Sequence, residues 1–334
     1  MQKFKRKFRR KGYFFLSLVV AVAIFASSIQ FVNAQNATTS PVGNLEDGAA
    51  LLPTGQVITP AAAPLSTFAP LSTGLREDNN ADAAEAVSTA LSPDGKTLLV
   101  LTSGYNQNFK KETGEDITYP VLDPVSGKPA NDPTTGKPVT TKKAEWVFVF
   151  DTSNGSLVKK QQINIPNTYN GLTWAADGKS FYVSAGIDDR VYIYTLQGEQ
   201  YVPDAPFILL GHNSNSSAPF PKYDGGQLKG TPAGDREPSL VTGAVTAGIA
   251  VSKDGKTMVA ANFENDSVSI VDTASRKVLE EIKFFVAGGN VATGEYPFDV
   301  VVKSTNGAAA KAFVSSQRDD EVLAIDIATK AITR

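Results

Sequence analysis

Carboxylates and amides gather at three short turns of this chain: Asp188 with Asp189, Glu264 with Asn265 and Asp266, and Arg318 with Asp319. Asn170, Glu295 and Tyr296 stand just ahead of neighbouring apolar runs. An oxygen-rich set of this kind suits a hard cation such as calcium, or a carbohydrate or peptide that hydrogen-bonds to it. The competing reading is conformational. Asp and Asn are good turn residues because their side chains bond their own backbone. At any single position the turn reading is the stronger, and the collected face is the candidate site. No contiguous Asp-x-Asp-x-Asp-Gly loop is present, so the calcium case has no motif behind it. No other cofactor is implied.

Covalent chemistry has little to work with. The chain has one histidine and no cysteine. That removes disulfides, thiolate catalysis, Cys-based zinc and His-cluster metal sites. A Ser-His-Asp triad would have to use His212, and no Gly-x-Ser-x-Gly elbow accompanies it. His212 follows an apolar run and opens a loop, where a structural role is expected. Gly225-Gly226 and Gly288-Gly289 lack a phosphate-loop pattern. Tyr105, Trp146 and Trp174 read as packing aromatics.

The polar turns are held by a repeat. Residues 181–194, 259–272 and 313–326 each pair a β-rich run with a short polar turn and a second alternating run. Asp177-Gly178-Lys179 and Asp254-Gly255-Lys256 precede two of them, and Asp94-Gly95-Lys96 heads a more divergent copy. Such repeats predict an all-β fold, a β-propeller of four-stranded antiparallel blades. Calling the strands of a blade a to d from the axis outwards, the first unit has a at 86–91, b at 97–102, c at 146–150 and d at 157–165. Strand a of the second unit falls at 171–175, with 207–210 as a candidate outer strand. The third unit starts near 247 and the fourth near 297. About four blades are encoded, and residues 331–334 open strand d of the last. Two closures remain open: a small ring completed by the N-terminal arm, or an incomplete arc of a larger, seven-bladed type of propeller. An arc leaves an unpaired edge through which the chain could self-associate.

Residues 1–34 have the order of a secretory signal peptide. Seven Lys and Arg lead, an apolar stretch follows, and Val32-Asn33-Ala34 offers small residues for cleavage. An uncleaved anchor is the alternative. Cleavage predicts a periplasmic or secreted protein with no stable membrane insertion. Losing those seven basic residues takes the net charge from −2 to −9, a poor balance for nucleic-acid binding. Residues 35–85 are rich in Ala, Pro, Ser, Thr and Gly and read as an extended arm, with one isolated strand near 56–59. Residues 86–334 carry the propeller repeats.

The repeats resemble the YVTN-repeat β-propeller family. Val259-Ala260-Ala261-Asn262, Tyr182-Val183-Ser184-Ala185 and Phe313-Val314-Ser315-Ser316 occupy the position of the family's Tyr-Val-Thr-Asn element. Val268, Val191 and Val322 follow the last residue of each by six positions. Only the Val259 copy keeps the Asn. A narrower resemblance rests on residues 52–60, on 91–96 with 101–106, and on 314–319. These look like exported bacterial proteins that join such a propeller to a C-terminal alkaline-phosphatase-like domain. That likeness matches only the front of their architecture. No phosphatase metal-ligand set is present, so no phosphatase activity is implied.

Blade topology puts the b–c and d–a connections at one end of the propeller. Two long polar connections, 107–144 and 213–246, are both expected there, where binding functions reside. Three functions stay open. The first is a binding or scaffold module for a protein, peptide or carbohydrate, without catalysis. On that reading, deleting 107–144 leaves folding largely intact and abolishes partner binding. The second is a hydrolase resembling propeller lactonases, with a rim-bound cation. The third is a shortened product of a propeller-phosphoesterase gene.

Overall fold

The computed structural model describes residues 50–51, 57–58, 71–76, 82–83, 85–103, 109–132, 134–142, 144–212, 222–224, 227–229, 245–284 and 295–334. The signal segment, most of the arm and most of 213–246 lie outside them. Two compact units divide the chain, Met1–Ala69 and Pro70–Arg334. In the first, β1 (Ala50–Leu51) pairs antiparallel with β2 (Val57–Ile58).

The second unit opens with the hairpin β3 (Leu71–Ser72) and β4 (Asp82–Ala83). Four antiparallel sheets then succeed one another around an axis, a four-blade β-propeller arrangement. Blade 1 is β5 (Ala86–Leu91), β6 (Thr97–Thr102), β9 (Glu145–Asp151) and β10 (Val158–Ile165), with the small pair β7 (Tyr119–Pro120) and β8 (Thr140–Thr141) inserted before β9. Blade 2 is β11 (Leu172–Trp174), β12 (Ser180–Ser184), β13 (Arg190–Gln197) and β14 (Gln200–Pro203). Its outer edge is continued by β15 (Ile208–Leu209), so the outer strand begins earlier than residue 207. A short hairpin, β16 (Lys222–Asp224) with β17 (Gln227–Lys229), precedes blade 3. Blade 3 is β18 (Thr246–Val251), β19 (Thr257–Asn262), β20 (Ser267–Asp272) and β21 (Lys277–Lys283). Blade 4 is β22 (Pro297–Thr305), β23 (Ala308–Ser316), β24 (Glu321–Asp326) and β25 (Ile332–Thr333). Residues 332–333 thus supply the outer strand of blade 4.

Turn chemistry explains the hairpins. Gly95, Gly178 and Gly255 all have positive φ, the left-handed region that a side chain disfavours. The Asp before Gly fixes two of these turns in the same way. Asp94 and Asp254 each accept from a Ser hydroxyl two residues back and a Lys amide two residues on.

Alternating side chains seal the blades to each other. Leu99, Leu101, Val147 and Val149 of blade 1 meet Phe181, Val183, Tyr192 and Tyr194 of blade 2. Tyr182, Val191 and Ile193 of blade 2 meet Ile249, Met258 and Ala260 of blade 3. Val259, Val268 and Ile270 of blade 3 meet Val300, Val314 and Leu323 of blade 4. At the innermost strands the backbones touch. A Cβ added to Gly248 would lie 2.5 Å from the Asp299 Cα and 2.8 Å from the Phe298 carbonyl oxygen. Gly248→Ala therefore forces blades 3 and 4 apart. The expected loss is about 1–3 kcal/mol, read in a thermal melt as about 2–4 °C per kcal/mol for a domain of this size. An unchanged melt would refute the close approach.

The far face of blade 4 is uncovered. The positions that bury Tyr182, Val191 and Val259 to 0–8% exposure hold Phe313 and Val322 at 37% and 56%, beside Val301 at 63%. Val87 and Leu91, on the innermost strand of blade 1, are exposed as well. Among the described residues no apolar cluster joins blade 4 to blade 1.

The 107–144 connection, read from the sequence as a long polar insertion that folding could spare, is packed against blade 1. Phe109, Ile117 and Tyr119 lie on Trp146 and Phe148, together with Leu71, Leu75 and Ala83. Phe109 and Tyr119 meet the Trp146 ring edge-on, with centroids 6.2 and 5.8 Å away. Leu122 reaches the blade 1–2 core, and the Pro124 carbonyl accepts from the Phe207 amide. The insertion covers the face of blade 1 that no other blade covers.

Candidate functional site

At the end of the propeller where the d–a and b–c connections emerge lies a cavity of 710 Å³, lined by residues from all four blades. Backbone irregularities shape it. The pairing of β5 with β6 slips at Val87, and that of β22 with β23 slips across Phe298 and Asp299. A bulge frees a residue from the ladder and re-aims its side chain. Val87, Phe298 and Asp299 all line the cavity.

One wall is aromatic. Tyr169 lies 5.6 Å from Phe263 and 5.8 Å from Phe298, centroid to centroid, and Phe263 and Phe298 are 6.3 Å apart. The charge of the lining is acidic. Among the described residues Glu85, Glu145, Glu264 and Asp299 contribute to it, and no Lys, Arg or His does. Glu145 is buried and accepts from the amide and hydroxyl of Thr168. Asn170 donates its Nδ2 to the Phe298 carbonyl at 3.0 Å. Its Oδ1 is buried without a hydrogen-bond partner.

Of the residues singled out from sequence, Asn170 and Glu264 line this cavity. Tyr296 packs against Phe263 in a tilted pair, centroids 5.2 Å apart, and the Arg318 guanidinium lies 5.9 Å from the Tyr296 ring centre. The others do different work. Asp188 and Asp189 are fully buried, which corrects their placement on an open rim. Asp188 accepts from Asn167 and from the Tyr192 hydroxyl, both at 2.8 Å. Asp189 accepts from the His212 backbone amide at 2.8 Å and contacts the ring Nδ1 at 2.7 Å. Asp266 accepts from the amides of Glu295 and Tyr296. Asn265 donates to Glu281 at 2.6 Å.

A shared device explains these contacts. Asp189, Asp266 and Asp320 each immediately precede strand c of their blade, and each has positive φ. Two of these three turns bond the d–a connection of their blade. The turn reading therefore accounts for Asp189 and Asp266.

Glu295 and Asp319 come together with Glu321, one carboxylate oxygen of each within 4.8 Å of the others. Arg334 supplies the countercharge, pairing with both Glu295 and Glu321. Burial raises the Glu295 pKa, Arg334 pulls it back, and Glu321 and Asp319 push it up again. The net direction is up.

Sequence reading passed over Tyr169, Phe263, Phe298 and Asp299. Aromatics at strand ends look like core residues. The available signal was their position, each beside a d–a or b–c connection.

No family model matches the chain, and no curated protein matches it. Solved structures do. Hydrazine synthase from Kuenenia stuttgartiensis shares 15% identity at a TM-score of 0.42, over 75% of this chain and 48% of that one. The β-propeller domain of Myceliophteria thermophila Cps50 shares 11% at 0.42, over 72% and 54%. The periplasmic gluconolactonase of Pseudomonas aeruginosa shares 15% at 0.38, over 76% and 69%. The chain spans about half the length of the first structures it matches. At identities this low no activity passes from them to this chain.

Proposed function

We propose that this chain is an exported β-propeller binding module, of the YVTN-repeat kind that its repeats resemble, and that it takes its ligand in the four-blade cavity. The observation that carries this reading is convergence. Connections from every blade meet around one concave space of 710 Å³, within the usual range of ligand sites. The connections stand on antiparallel sheets packed face to face, and loops held on such a scaffold are where recognition resides. The leader of residues 1–34 supports export. A hydrolase reading would need oxygen ligands converging on the axis. The carboxylate triad among the described residues instead holds the Arg334 guanidinium.

A plug tests the site. Ser88 lines the cavity from an innermost strand, and Phe is well tolerated in strands. Ser88→Phe is expected to melt within a few degrees of the parent while losing the stabilisation that a ligand confers. The measurement is a thermal-shift screen of both proteins against neutral sugars, organic cations and short peptides. Equal shifts in the two proteins, or no shift from any compound, would end this reading.

A further inference from the structure

Building on the binding-module reading, the geometry points to a ligand class: the cavity selects an organic cation, an ammonium or guanidinium group presented to its aromatic wall.

Charge is the first argument. Among the described residues four carboxylates line the cavity and no basic side chain does. A concave, partly apolar space lined by one sign of charge focuses its field and concentrates counter-ions. Phosphates and sugar acids are repelled by the same field.

The aromatic wall is the second. Tyr169, Phe263 and Phe298 lie within 6.3 Å of one another, centroid to centroid, in tilted and edge-on pairs. All three line the cavity, and none is fully buried. A ring face attracts a cation within about 6 Å of its centre. The same cluster already holds one, since Tyr296, tilted against Phe263, carries the Arg318 guanidinium. An ammonium over Phe263 or Tyr169 would repeat that contact, with the carboxylate of Glu264 nearby in the wall.

The third argument is an unfilled acceptor. Asn170 Oδ1 is buried without a partner while its Nδ2 is committed to Phe298. The group that completes this amide oxygen is a hydrogen-bond donor or a cation. Ammonium and guanidinium groups donate only and accept nothing. Hydroxyls of a neutral sugar also donate, and charge separates the two classes.

Two sources carry this chemistry: a free amine such as a polyamine, or a Lys or Arg side chain of a peptide. Isothermal titration distinguishes them. The probes are spermidine, choline, an acetylated arginine amide and a pentapeptide with central Arg, against glucose and gluconate. At least one cationic probe is expected to bind about tenfold tighter than glucose and to weaken with salt. Tighter binding of the pentapeptide than of the amide would identify a peptide ligand, and equal or weaker binding a free amine. Glu264→Gln is expected to weaken the cation roughly tenfold and to leave glucose unaffected. Phe263→Leu, which keeps apolar bulk and removes the π face, should weaken the cation as well. Glucose binding as tightly as every cation, abolished by Ser88→Phe, would overturn the cation assignment and leave the cavity reading standing. Preference for gluconate would overturn it too. No heat from any probe would remove both.

Discussion

A chain from which residues 107–144 are excised is expected to lose its cooperative melt and to aggregate. The reason is what the insertion covers. Trp146, Phe148 and Phe150 alternate along β9, and all three are buried in one apolar cluster with Phe109, Ile117 and Tyr119 of the insertion. Returning one large apolar side chain to water costs about 1.5–3 kcal/mol. Three of them approach the whole of a typical stability of about 5–15 kcal/mol. The newly bared sheet would adjoin Val87 and Leu91, already exposed, making one continuous apolar patch of the kind that drives association. Expression in the soluble fraction and a far-UV melt would check this. A soluble deletion variant that melts within a few degrees of the parent would show that the insertion is a passive loop after all.

That outcome runs against what the sequence suggests, and the reason is instructive. Residues 107–144 are mostly Lys, Thr, Asp, Gly and Pro, the composition of a solvated loop. Their few apolar residues follow no period. They are placed by short bridges such as Leu122 with Pro129 and Asn131 with Pro138, which local spacing does not announce. The blades were legible because their information is local. Val268 and Ile270 alternate toward one neighbour, and Gly95, Gly178 and Gly255 punctuate the turns. The end of the propeller at which the connections collect follows from strand order alone. The fate of each acidic turn residue does not. Asp189 looks like a rim carboxylate until His212, 23 positions on, is laid against it. Glu264, one residue from buried Asn265, points instead to the cavity. The cavity's shape rests on ladder slips at Val87 and Phe298, and a bulge leaves no mark in composition.

The buried pair of His212 and Asp189 makes stability fall as the solution becomes alkaline. His212 is almost wholly enclosed, between Asp189 at 2.7 Å on Nδ1 and Glu281 at 3.2 Å on Nε2. The Nε2 contact is an ion-pair distance without hydrogen-bond alignment. Burial alone would lower the imidazole pKa. The bond to Asp189 and the charges of Asp189 and Glu281 more than reverse that and carry it from 6.5 to about 9. The folded state therefore keeps a proton that the unfolded chain releases near pH 6.5. Below that pH both states are protonated and the full stabilisation is present. Between about 6.5 and 9 the unfolded chain binds fewer protons, so unfolding becomes easier with each unit of pH. Above 9 both states are neutral and the slope vanishes. The loss across the window is on the order of 3 kcal/mol. It is one interaction, so the matching fall in the Glu281 pKa adds nothing further. His212 is the only side chain whose ordinary pKa falls in this window, because the sequence has no cysteine and no second histidine. Urea unfolding at pH 6 and pH 9.5 measures the loss. The sole imidazole resonance reports the titration without assignment. His212→Gln should lower stability at pH 6 and flatten the pH dependence. An imidazole that titrates near 6.5 in the folded protein would mean that the pair does not hold its charge. Asp189 would then anchor the d–a connection of blade 2 through the His212 backbone amide alone.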